Sequence, residues 1–212
     1  MKQSLQVIPL HRFTERDFVG GDAALDFVNT VAGRDQAPRD RLDAYVRLLE
    51  WSAGTDLLPG KLLRTLSRKA QAEPATASKA LTRAKALREA MFAVVTAMIS
   101  ENAPSKSALA LLREHWIAGA RAHELRFSDG RVALELDADA ADLDLIASIA
   151  AYRLVENVLS LPVERLRLCA GSDCAWLFID GSKAGRRRWC DMAVCGNKAK
   201  SRRFYARERK AN

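Results

Sequence analysis

The stretch CAGSDCAWLFIDGSKAGRRRWCDMAVCGNK, residues 169–198, decides the architecture of the C-terminal side of this chain. It holds every cysteine of the sequence, Cys169, Cys174, Cys190 and Cys195, spaced C-x4-C-x15-C-x4-C. Two close pairs separated by a medium loop suit a tetrahedral metal: each pair turns tightly, and the chain between them returns to complete the set. Four thiolates favour zinc or an iron–sulfur centre. The segment between the pairs points to zinc. Ala175 to Ile179 reads as a strand, Asp180-Gly181-Ser182 as a turn and Arg187-Arg188-Trp189 as a return strand, a compact hairpin. Two disulfides are the alternative for paired cysteines, and a chain without a secretion signal meets a reducing compartment that disfavours them. With all four positions filled by protein, one zinc ion per chain would be structural. A module of ~45 residues has too small a core to fold unaided, so the metal would supply much of its folding free energy.

Charge follows the same division. Residues 1–164 carry 21 Lys and Arg against 22 Asp and Glu, whereas residues 165–212 carry 13 against 4. A basic module on a neutral body is the electrostatic footprint of a nucleic-acid binder. Arg186, Arg187 and Arg188 directly precede Trp189 and Cys190. After Gly196-Asn197, a helical stretch from Lys198 to Lys210 carries Lys198, Lys200, Arg202, Arg203, Arg207 and Arg209. Such a helix, held at its start by the metal, is suited to lie against phosphates or enter a major groove. Phe204 is expected to pack on Trp176 or Phe178.

The body reads as mainly helical. Gly20-Gly21-Asp22 forms a turn and helix start before Leu25, Phe27, Val28 and Val31, with Gly33 as the stop. Asp40 is expected to cap a second helix bearing Leu42, Tyr45, Val46 and Leu49 and ending near Trp51 and Gly54. Leu57 to Leu66 adds a turn or two. Pro74 opens the longest helix, to about Ser100, with Leu81, Ala84, Leu87, Met91, Val94, Val95 and Met98 on one face. Another helix runs from about Ser105 to His123. The period then changes to 2 over residues 125–127 and 132–136, flanking Ser128-Asp129-Gly130, which predicts a β-hairpin. A last helix spans about Ala140 to Ser160, and Pro162 marks the boundary. The expected fold is thus a mainly α body with one β-hairpin (α+β) at 1–161. A four-cysteine zinc-finger module follows at 162–212, made of a β-hairpin and a basic helix.

A chain of 212 residues with 49% hydrophobic and 28% charged content is an ordinary globular protein. No apolar run approaches the ~18–20 residues of a membrane span, and Met1-Lys2-Gln3-Ser4 leads into no secretion signal, so a cytoplasmic protein is expected. His11, His115 and His123 are scattered without a nucleophile pattern, so no enzymatic activity is expected.

These residues resemble the CGNR zinc-finger family of bacterial proteins. The resemblance rests on the paired cysteines, on Trp176 to Ser182, on Arg187 to Met192, and on Cys195-Gly196-Asn197-Lys198-Ala199-Lys200. The family's namesake tetrad ends in Arg, and here it ends in Lys198, which keeps the charge but loses bidentate contact. The body is similar to the ABATE domain, on Gly20-Gly21-Asp22, Leu25-Asp26-Phe27-Val28-Asn29-Thr30 and Trp51. The resemblance implies a stress-induced transcription regulator, with the finger on DNA and the body as a sensing or assembly domain, and association with the nucleoid is expected. Asp26 and Asn29 match the body motif and either face a ligand cavity or serve as a cap and buried hydrogen-bond network.

The expected partner is double-stranded DNA, gripped by Arg186, Arg187, Arg188, Lys198, Lys200, Arg202, Arg203 and Arg207, with arginine the best reader of guanine. One alternative is an RNA-binding protein stacking bases on Trp176, Trp189 and Tyr205. Another is a zinc-stabilised small-molecule binder with an incidental basic tail. The near-neutral body suits self-association, so a homodimer is expected, with a small-molecule effector as a further partner of the body.

Overall fold

A computed structural model describes residues 6–7, 10–34, 36–137 and 139–211 of the chain. The first four residues, where no secretion signal is expected, lie outside this set.

The body is built around a short, wholly buried helix. In α1 (Ala23–Val28) every residue is buried, and Asp22 caps it by accepting from Ala24 N at 2.8 Å. Six residues make less than two turns, too few to be stable alone, so tertiary packing holds them helical. That packing comes from α4 (Pro74–Ile99) and α6 (Leu145–Arg153), together with a strand described below.

Around this centre run α2 (Tyr45–Ala53), α3 (Gly60–Ala72) and α5 (Lys106–Arg121). Pro74 opens α4 at its first turn, and Leu81, Ala84, Leu87, Met91, Val94 and Val95 are all buried along one face. Helices α5 and α6 pack closely because Gly119 has no side chain: a Cβ there would collide with Ser148 O. α6 continues into a π-helical turn, Leu154–Val158, whose wider winding shows in the bond from Leu159 N to Leu154 O at 2.9 Å. The expected helix of about 140–160 therefore begins at Leu145 and changes pitch at Leu154.

The hairpin forms where the period changed. β4 (His123–Ser128) pairs with β5 (Arg131–Leu136) through Asp129-Gly130, both at positive φ, the two-residue turn that matches strand twist. Leu125, Phe127, Val132 and Leu134 form an exposed apolar face on it.

The structure contains a small sheet that the hydropathy pattern does not predict. β2 (Val31–Ala32) pairs antiparallel with β3 (Arg39–Asp40), and β1 (Gln6–Val7) pairs parallel with β3. Asp40 belongs to this sheet and does not cap α2, whose preceding residue is Ala44. It is fully buried and forms a two-point ion pair with Arg88, Nη1 to Oδ1 at 2.9 Å and Nη2 to Oδ2 at 3.1 Å. Lys85 Nζ adds a contact at 3.1 Å, and Leu42 N donates to Asp40 Oδ1 at 2.9 Å. A buried carboxylate needs such partners, which an exposed cap does not. Val46, expected on the apolar stripe of α2, is exposed, while Leu42, Tyr45 and Leu49 are buried. The segment after Leu57 is longer than a turn or two, because α3 runs for 13 residues.

The C-terminal part contains β6 (Leu166–Leu168), β7 (Leu177–Ile179), a π-helical turn at Met192–Gly196, and α7 (Asn197–Ala211). Its hairpin differs from the expected one. β7 pairs with β6, in register Leu166 with Ile179 and Leu168 with Leu177, and residues 187–189 form no strand. Asp180 explains the change. Its buried carboxylate accepts from Ser182 N at 3.0 Å and from Arg187 N at 2.7 Å, so the chain turns away from β7 instead of pairing with it. Leu166 and Leu177 are buried in the same core as α1 and α4, so the hydrophobic interior is continuous across Pro162.

Candidate metal centre and nucleic-acid interface

The β6–β7 hairpin carries the first cysteine pair in its loop. Cys169 N donates to Trp176 O at 2.8 Å, and Ala175 takes a positive φ of 54°, which turns Cys174 back toward Cys169. The second pair stands at the entry to α7. Asp191 accepts from Val194 N at 3.0 Å through its side chain and from Cys195 N at 3.0 Å through its carbonyl, placing Cys195 one turn beyond Cys190.

The four cysteines are buried and free, and their sulfurs lie within 4.8 Å of one another. Cys174 and Cys190 Sγ are 3.6 Å apart, and Cys190 and Cys195 Sγ 3.7 Å. Tetrahedral zinc with Zn–S bonds of ~2.3 Å requires sulfurs about 3.8 Å apart. A disulfide requires ~2.05 Å. Gly171 completes the cradle: a Cβ there would stand 3.4 Å from Cys195 Sγ and 3.5 Å from Cys169 Sγ. Cys190 N also points at Cys169 Sγ, at 3.4 Å, a donor oriented toward thiolate charge. Hydrogen bonds from the other thiols hold Cys169 far below its ordinary range. The donor set fits one structural zinc, held by Cys169, Cys174, Cys190 and Cys195, and leaves no protein-free coordination position.

This centre is seated on the body. Gly33 N donates to Cys174 O at 2.8 Å, Trp176 Nε1 to Val31 O at 3.0 Å, and Ile179 N to Gly20 O at 2.8 Å. Gly33 is required at its place, since its φ is 69° and a Cβ would press on Ala37 O. Asn29 is buried, and its amide spans Leu177: Nδ2 donates to Leu177 O at 2.8 Å and Oδ1 accepts from Leu177 N at 2.9 Å. Its polar atoms are therefore engaged with β7. Asp26, the other ligand candidate, accepts from Gly20 N at 2.7 Å. Burial pushes its carboxyl up to about 7, against the opposing Gly20 bond. It lines a cavity of about 300 Å³ beside Arg153, which is itself engaged by Asp22 and Asp56.

The cationic residues sit on the loop that leads into the second cysteine pair and on the helix that follows it. Arg186, Arg187 and Arg188 are exposed on the loop before Cys190. Arg187 stacks over Phe178 at 4.7 Å and donates to Cys190 O at 2.7 Å, and Arg188 stacks over Trp189 at 5.4 Å. Lys198, Lys200 and Arg202 are exposed on α7. Asp173 reaches Lys198 Nζ and Arg202 Nη2, both at 3.4 Å. Its burial opposes ionisation, but these two cations outweigh it and hold its carboxyl below the usual range. Arg203 and Arg207 are on α7, and their side chains lie outside the described residues. Phe204 does not pack on Trp176 or Phe178. It is exposed, edge-on to Tyr205 at 5.7 Å, because body contacts and Arg187 already cover the other two rings. Trp176 is buried under the Arg41 guanidinium at 4.6 Å and is not presented for stacking bases.

The three histidines are dispersed and engaged locally: His11 with Asp17, buried His115 with Ser148, and His123 with Gly119 O. Among the described residues no helix is long and apolar enough to cross a membrane.

The model of the CGNR zinc finger matches residues 165–208. The ABATE family model, described as "Putative stress-induced transcription regulator", matches residues 21–159. No curated protein sequence matches the chain. With its body matched across most of the chain and its four cysteines gathered at one metal centre, the chain belongs to the ABATE family and carries a CGNR zinc finger.

Proposed function

We propose that this chain is a DNA-binding transcription regulator that acts by binding, without catalysis. The observation that carries the reading is α7: its first turn follows the metal cysteines directly, and Lys198, Lys200 and Arg202 stand exposed along it, as Arg186 and Arg188 do on the loop before Cys190. Zinc fixes the start of the helix, the cations neutralise phosphates, and arginine reads bases. The body holds the finger in place and pairs with a second copy. Near-zero net charge and the exposed apolar face of the β4–β5 hairpin support that pairing. The protein acts in the cytoplasm, where its target is the nucleoid.

Recovery of duplexes from a random DNA pool by the zinc-loaded full chain tests this directly. An enriched sequence is the expected result, and recovery no better than an unrelated basic protein would sink the reading. A second reading, single-stranded RNA, is favoured by the exposed Phe204 and Tyr205 rings on the basic helix. Competition separates the two: excess duplex DNA displaces the DNA reader, and excess single-stranded RNA displaces the other.

A further inference from the structure

Between the chain before α1, the small sheet and the metal loops lies a cleft of about 320 Å³. Small-molecule pockets run from roughly 300 Å³ upward. Its walls include Arg12, Arg16, Arg41, Trp176, Val194 and three of the four metal cysteines, Cys174, Cys190 and Cys195, so the cleft opens onto the metal site itself.

Its cations are incompletely satisfied. Arg41 is largely buried, and its Nη1 donates to Asn29 O at 3.1 Å. Its Nε lies 3.4 Å from Asp17 Oδ1, yet it makes no hydrogen bond among the described residues. Burial lowers the pKa of this guanidinium, the mark of a charge whose desolvation is not fully offset. Arg12 and Arg16 are exposed at the cleft and form no ion pair among the described residues. The carboxylates that share the lining are already engaged. Asp17 bonds Thr14 N and His11, Asp173 holds Lys198 and Arg202, and Asp191 caps the turn at Val194.

We propose that this cleft binds a small organic anion, a carboxylate on a flat apolar body. The thiolate-rich metal site on one wall is negative, so the carboxylate belongs beside the arginines and the apolar part toward Trp176 and Val194. As the effector site of the regulator proposed above, the cleft rests on that reading. Its coupling to the finger follows from shared walls, since a ligand there touches both the body and the loops that set α7.

The test uses the zinc-loaded full chain and benzoate as probe, followed by tryptophan fluorescence and titration calorimetry at constant ionic strength, without DNA. Saturable benzoate binding is expected, with neutral benzamide and small acetate each weaker by about tenfold or more. Arg12→Ala combined with Arg16→Ala should weaken benzoate by at least about tenfold while the zinc content stays unchanged. Arg41→Lys, which keeps the charge but not the planar fork, should weaken it as well. Absence of saturable benzoate binding, or equal binding of benzamide, overturns the proposal. So does an arginine pair whose loss weakens duplex DNA but not benzoate, which would make the cleft part of the DNA surface. Benzoate bound in this way by a chain that recovers no DNA sequence would uphold the cleft and remove the regulator reading alone.

Discussion

Asn29 and Leu177, 148 positions apart in the chain, are joined by a two-point hydrogen bond in which one side-chain amide satisfies both backbone groups of a buried strand residue. This is the pairing a neighbouring strand would make, supplied by a side chain on the C-terminal end of α1. Asn29→Ala leaves the Leu177 N–H and C=O unpaired in the core. At ~1–3 kcal/mol for each unsatisfied group, the loss is about 2–6 kcal/mol, read as a lower denaturation midpoint. Faster hydrogen exchange at the Leu177 amide locates it. An unchanged midpoint would show that β7 is held by other contacts.

Metal removal is expected to act on the whole chain. Elemental analysis should find about one zinc per chain, and Cys190→Ser should abolish it. From the sequence alone, a body without cysteines should survive that substitution untouched. The core that α1 and α4 share with Leu166 and Leu177 leads to a different expectation: calorimetry of Cys190→Ser shows a lowered transition for the body as well. A body transition identical to that of the parent protein would establish that the two parts fold independently.

Duplex binding should depend steeply on salt. If ~5 phosphates are neutralised, log K falls against log salt with a slope near −4 to −5. Lys200→Ala should weaken all sequences about equally and flatten the slope by about one. Asp173→Asn should act in the opposite sense, because it frees Lys198 and Arg202 from their shared carboxylate and adds net positive charge. A slope near zero is incompatible with a phosphate-gripping helix.

The Asp26 carboxyl gives stability a pH dependence of known sign. Its value in the folded chain is about 7, above the ordinary 3.8, so the folded state retains a proton that the unfolded state has lost. Stability from this group is fully present below about pH 4, declines as pH rises, and levels off above about pH 7. The span is about 4 kcal/mol at ~1.36 kcal/mol per pKa unit. Asp26→Asn still accepts from Gly20 N and removes the decline, so its unfolding free energy should vary less with pH between 4 and 8. A parent protein with no such decline would show that Asp26 is solvated more than its surroundings indicate.

The parts legible in the sequence were those with long or chemically distinctive signals. The apolar face of α4 repeats over many turns, Asp129-Gly130 specifies its turn, and four cysteines at paired spacing name their own partner. The features that the sequence does not show are short or long-range. The two-residue strands β2 and β3 present no period at all. Asp40 resembled a helix cap because its true partner, Arg88, lies on a helix 48 residues away. The finger hairpin pairs β7 with β6 and not with the expected return strand because the decisive group, Asp180, binds two backbone N–H groups through its side chain, a contact that alternation of apolar residues does not encode. Asn29 was visible as a polar residue among apolar neighbours, but its choice between a ligand and a strand depended on β7. The cleft drew on the segment before α1, β3 and the metal loops, and no single stretch announces it.

The seat of the metal loops on Gly33, Val31 and Asn29 also determines what could be transplanted. A segment cut at 165–208 and moved to another protein would carry its zinc but would leave Trp176 Nε1 and the Leu177 N–H and C=O without their partners and Cys174 O without a donor. The smallest unit that keeps these groups satisfied is discontinuous, the C-terminal segment together with residues 29–41. Exchange between relatives by simple recombination near Pro162 would therefore separate residues that need each other, and substitutions on either side of that point should be tolerated in pairs rather than singly.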